Sequence, residues 1–106
     1  MISDFFLQQR KATIMDNHQK QLREFEEFAK SKFVNHNEEL RTTYQNLRVH
    51  PNDLKQAYQA HQQILEMELQ DKIDELLTKE NAFLGPVLND IKDDYVNQLK
   101  ADRYER

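Results

Sequence analysis

Apolar residues recur at helical spacing along almost the whole chain. Met15, Leu22, Phe25, Ala29, Phe33, Leu40, Tyr44 and Leu47 follow one another in steps that are mostly three, four or seven, the signature of one buried helix face. A second row reads Leu54, Tyr58, His61, Leu65, Leu69, Ile73, Leu76 and Phe83, and a third reads Leu88, Ile91, Tyr95 and Leu99. Between them the chain is rich in Gln, Glu, Lys, Leu and Ala, all good helix formers. Eleven-residue intervals stand out: Leu22, Phe33 and Tyr44 in the first row, Leu54, Leu65 and Leu76 in the second. A repeat of eleven is 3.67 residues per turn, which suits nearly straight packed helices better than a tight left-handed supercoil.

Two places interrupt this pattern, His50-Pro51-Asn52-Asp53 and Gly85-Pro86. Proline disfavours the α conformation in the residue before it, so the first helix is expected to end near residue 48. Asn52 or Asp53 can cap the next helix. Gly85 is expected as a C-terminal cap with positive φ, and Pro86 as an early residue of a third helix. Ser3 is the candidate cap at the start, with Asp4 in the first turn. The expected helices are 3–48, 53–84 and 86–104, in a single domain spanning 1–106. The weak helix residues Val34, Asn35 and Asn37 lie inside the first, which is read as continuous, with the amides on its solvated side. The fold class is all-α: a long antiparallel helical hairpin with a shorter third C-terminal helix, a three-helix bundle of coiled-coil-like form.

Length adds a constraint. At 1.5 Å per residue, helix 3–48 spans about 69 Å and helix 53–84 about 48 Å. The second cannot cover the first, so about a dozen N-terminal residues, Phe5, Phe6 and Leu7 among them, are expected to project unless the third helix reaches them. Fold-back of the third helix onto the hairpin is favoured at the Gly-Pro junction.

Composition removes whole classes of chemistry. The 106 residues include one Gly and no Cys. Phosphate-binding loops, dinucleotide fingerprints and nucleophile elbows need several glycines. Disulfide frameworks, thiolate metal sites and cysteine catalysis need Cys. No apolar run approaches a membrane span or a signal-peptide core, which makes a cytoplasmic location the expectation, with signal-less export still open. Residues 1–50 carry 8 basic and 7 acidic side chains and residues 51–106 carry 7 and 12. The acidic half disfavours nucleic acid and anionic membrane.

Candidate chemistry is sparse. None of His18, His36, His50 and His61 has a carboxylate three residues before it, and no two lie within five residues of each other. No metal site and no cofactor is therefore expected, although His36 and His61 fall on or beside the apolar rows and can meet across the hairpin. Adjacent carboxylates such as Glu26-Glu27, Glu38-Glu39 and Asp93-Asp94 point about 100° apart on a helix and do not converge for acid–base catalysis. No catalytic residue and no small-molecule substrate are expected. The i,i+4 pairs Glu26–Lys30, Glu68–Lys72 and Glu75–Lys79 are available as surface support.

The expected function is that of a non-enzymatic interaction module: a small adaptor, chaperone or inhibitor that binds another protein, basic or helical, through helix faces, or that forms a homodimer. The candidate partner-binding residues are Phe5, Phe6 and Leu7, with the acidic Glu66, Asp74, Glu75, Asp93 and Asp94. A nucleic-acid-associated regulator, as a dimeric helical DNA-binding protein or an acidic DNA mimic, is the alternative. In size, acidity, lack of Cys and hairpin form the chain also resembles the small WXG-type helical proteins of type VII secretion, which implies a secretion partner. It departs from them in having no Trp, no Gly near the interhelix turn, and no acid four residues after Tyr44, Tyr58 or Tyr95.

Overall fold

A computed structural model describes the backbone of residues 2–47 and 51–99, and the side chains of residues 16–45 and 53–99. It has three helices: α1, Ile2–Leu47; α2, Pro51–Leu76; and α3, Gly85–Leu99, the last entered through a 3₁₀ turn, Ala82–Leu84. There is no strand among the described residues. The molecule is a rod of 70 × 19 × 19 Å, and its length equals the roughly 69 Å expected of α1 alone.

α1 is unbroken through Val34–Asn37. Asn35 is exposed and Asn37 half-buried, so the weak helix formers cost little where tertiary packing on both sides carries the helix. α2 runs antiparallel to α1: His61 meets His36, and Lys72 meets Glu24. α3 then folds back along both, as the Gly-Pro junction suggested. Its Tyr95 lies against Phe33 of α1 at 5.6 Å between ring centroids, and its Lys92 reaches Gln70 of α2. Phe25, Ala29 and Leu40 from α1, Leu54, Leu65, Leu69 and Ile73 from α2, and Leu88 and Leu99 from α3 form the core. Phe28 and Phe33 pack against it, partly buried. Tyr44 departs from its apolar row in being exposed, and Lys92 of α3, which belongs to no row, is buried, with Nζ donating to Gln70 Oε1 at 3.0 Å.

The boundaries need correction at four points. α2 ends at Leu76 and not near residue 84. Phe83, which fits the α2 spacing, therefore loses its phase and is 61% exposed, edge-on to His18 at 4.6 Å. Gly85 has φ −47° and ψ −54°; it is the right-handed first residue of α3, not a positive-φ cap. A Cβ there would meet Leu77 Cδ1 at an ordinary 3.6 Å. α1 starts at Ile2 and α2 at Pro51, so Ser3, Asn52 and Asp53 lie inside first turns and do not cap them; Asp53 is an acidic residue facing the α2 dipole. The far end of the expected third helix, 100–104, lies outside the described residues.

The reversal between α2 and α3 is built on Asn81, which is 2% exposed. Its Oδ1 accepts from the Thr78 backbone N–H and from Thr78 Oγ1, the latter at 3.0 Å. Its Nδ2 donates to the Leu76 carbonyl at 2.9 Å and to Gln21 Oε1 of α1 at 2.6 Å. One amide thus satisfies an orphan carbonyl at the end of α2, closes the turn and ties it to α1.

Candidate functional site

The polar side chains that converge do so across the α1–α2 seam. His36 lies one turn before Glu39 on α1, and His61 faces them from α2. The two Nδ1 atoms are 2.7 Å apart, with the rings edge-on at 73°. His61 Nδ1 is 3.8 Å from Glu39 Oε2, too long for a hydrogen bond. On its other side His36 Nε2 donates to Glu68 Oε1 at 2.6 Å, and Glu68 Oε2 takes Lys32 Nζ at 3.1 Å. That contact places a proton on His36 Nε2, so a single proton is shared between the facing Nδ1 atoms. His36 is 9% exposed and His61 half-buried.

Electrostatics follows from this packing. Burial, together with the charge of His36, pushes the His61 imidazole below the ordinary histidine range, and Glu39 only partly opposes them. Burial works to raise the Glu68 carboxyl, but the hydrogen bonds and charges of His36 and Lys32 outweigh it and hold the group below its ordinary value. Further along the seam, burial opposes the charge of Lys72; Glu24 and Glu75 outweigh it and raise the ammonium above its ordinary value. Lys72 Nζ is 3.2 Å from Glu24 and 3.4 Å from Glu75, and both Lys72 and Lys32 lie over the Phe28 ring at 5.3 and 5.5 Å.

The expected surface pairing is thereby replaced. Glu68 bonds to α1 and not to Lys72, because it faces the seam where Lys32 and His36 are closer partners. Lys72 likewise turns to Glu24.

The acidic candidates are not gathered on one face. Glu66, Asp74, Glu75, Asp93 and Asp94 are all exposed. Glu75 borders the α1–α2 seam through Lys72, whereas Asp94 lines an open groove on the α1–α3 seam with Glu26, Glu27, Lys30 and Tyr95. Asp74 is bonded by Gln70 at 3.0 Å. Phe5, Phe6 and Leu7 belong to the first turns of α1; their side chains lie outside the described residues.

The meeting of His36 and His61 is anticipated by the apolar rows, but Glu39, Glu68 and Lys32 as their neighbours are not. The spacing His36-x-x-Glu39 is visible in the sequence; it carries the carboxylate after the histidine, the reverse of the Glu-x-x-His order of helical di-metal sites. No protein family, no curated protein and no solved structure matches this chain. No helix among the described residues is long and apolar enough to cross a membrane.

Proposed function

We propose that this chain is a non-enzymatic interaction module, a small helical adaptor, chaperone or inhibitor that binds another protein along the N-terminal arm of α1. The observation that carries this reading is the mismatch in helix length. Gln21 and His18 of α1 already meet the turn residues Asn81 and Phe83. The helix nevertheless continues back to Ile2, about 24 Å further at 1.5 Å per residue. Leu7 lies eighteen residues before Phe25, five full turns, so it shares the register of a fully buried core residue.

A lone helix of this length is marginal in water, and packing an apolar stripe against a partner helix is the ordinary way to stabilise it. Phe5 and Phe6 flank Leu7 in sequence, and the exposed Phe83 stands at the root of the arm; aromatic residues of this kind dominate binding hot spots. The exposed Glu66, Asp74, Glu75, Asp93 and Asp94 favour a basic partner over a nucleic acid.

The test is a Phe5→Ala/Phe6→Ala/Leu7→Ala variant. Sedimentation velocity distinguishes a second copy of the chain from a different partner, and affinity capture from the native host identifies the latter. The variant is expected to lose self-association or the captured partner while its far-UV circular dichroism is unchanged. A variant that unfolds assigns these residues to the core and overturns the reading, as does one that associates as well as the parent.

A further inference from the structure

The seam cluster does more than join two helices. We propose that His36, Glu39 and His61 form a binding site for a divalent transition-metal cation of the zinc class, bridging α1 to α2. One ligand atom from each of the three residues lies within 4.8 Å of the others. The donor set is two imidazole nitrogens and one carboxylate oxygen. This combination suits zinc and its borderline neighbours cobalt, nickel and copper, and not calcium or magnesium, which require mostly oxygen ligands.

The surroundings of His36 are those a metal-ligating histidine needs. Its nitrogen remote from the cluster, Nε2, is held by Glu68 at 2.6 Å, and Glu68 is fixed in turn by Lys32 at 3.1 Å. A carboxylate behind the ring sets the tautomer, aims Nδ1 into the cluster and makes it a better donor. Both histidines offer Nδ1, and Glu39 rises beside them one turn along α1. Three protein ligands leave a fourth position for water or for a donor from a partner.

The seat is now filled by the shared proton. Two tetrahedral ligands about 2.0–2.1 Å from one ion lie about 3.3 Å apart, so the 2.7 Å separation of the Nδ1 atoms must widen by roughly 0.6 Å. Small side-chain rotations of His61, which is only half-buried, supply that. The cation displaces the proton from the gap, and His61 then carries its proton on Nε2. Metal and proton thus compete for one place, and the winner decides whether the helices are joined by a hydrogen bond or by coordination. This inference is independent of the arm, since neither the ligands nor their supports lie in residues 2–17.

The experiment is titration of the full chain, stripped of metal, with Zn2+ by calorimetry and with Co2+ by visible absorption. One ion per chain is expected, with the intense Co2+ bands of a tetrahedral site. His36→Gln and His61→Gln are each expected to abolish that binding, and Glu39→Gln and Glu68→Gln to weaken it about tenfold or more. Circular dichroism without metal checks that each variant is folded, and His18→Gln/His50→Gln serves as a control that retains the site. Absence of stoichiometric binding by the parent chain overturns the proposal. So does equal affinity in the four seam variants, which would place the ion elsewhere on the surface.

Discussion

The two joints that hold this molecule together are made differently. Along the α1–α2 seam a series of polar contacts crosses between the helices: His36 to His61, Lys32 to Glu68, Glu24 to Lys72 and, at the turn, Gln21 to Asn81. α3 is docked chiefly by apolar side chains, Leu88, Leu99, Ile91 and Tyr95, with Lys92 to Gln70 as a polar tie to α2. Apolar burial is non-directional and sets how strongly a helix is held. Directional polar pairs contribute less net energy but penalise a shifted register, because a slip leaves each partner unsatisfied. The long hairpin therefore has its alignment written in polar pairs, while α3 has its attachment written in area.

That contrast can be broken most sharply at Leu88, which is fully buried. Leu88→Ala is expected to cost about 2–5 kcal/mol in urea unfolding, the range for a buried leucine replaced by alanine; a loss well below 1 kcal/mol would show that α3 is not held by its apolar face. Asn81→Ala removes the shared joint. It strands the Leu76 carbonyl, the Thr78 N–H and Gln21, and a destabilisation of about 1–3 kcal/mol is expected, with Asn81→Asp restoring only the Thr78 contacts. The smallest effect belongs to Lys72→Met, which keeps an apolar stem and removes the charge that lies over Phe28. It is expected to cost at most about 1 kcal/mol at neutral pH. Because the ammonium is held above its ordinary pKa in the fold, its contribution is complete below the ordinary lysine value and is lost as pH rises through the folded value. Parent and Lys72→Met should therefore converge in urea midpoint above the lysine range, and a difference that persists there would assign the effect to packing.

Much of this architecture is legible in the sequence, for identifiable reasons. Helix number, the antiparallel hairpin and the core rows follow from periodicity and from Pro51, because apolar spacing survives any detail of packing, and the fold-back follows from the Gly85-Pro86 junction. The end of α2 does not. Leu76-Leu77 and the helix formers Lys79 and Glu80 continue the local pattern, and Phe83 falls in phase with it. The decisive signal is Thr78 with Asn81, a pair able to close a turn through side-chain-to-backbone bonds, whose meaning depends on Gln21, sixty residues away. Gly85 misleads in the same way: its freedom is not used. The seam is half legible, since His36 and His61 sit on the apolar rows, but which carboxylate each histidine meets depends on the rotation of α2 about its axis.

Asn81 has a consequence for how this chain tolerates change in length. Reversals between helices are usually the places where insertions and deletions are absorbed, because an exposed loop can bulge. Here the reversal is buried at its centre and fastened to α1 as well as to α2. One residue added in the first turn of α3, between Gly85 and Leu88, and taken up as helix would advance the rest of that helix by 1.5 Å and rotate its faces by about 100°, turning Leu88 and Leu99 out of the core. Among the described residues, the segment that looks most like a spacer is held at its centre by contacts to both α1 and α2.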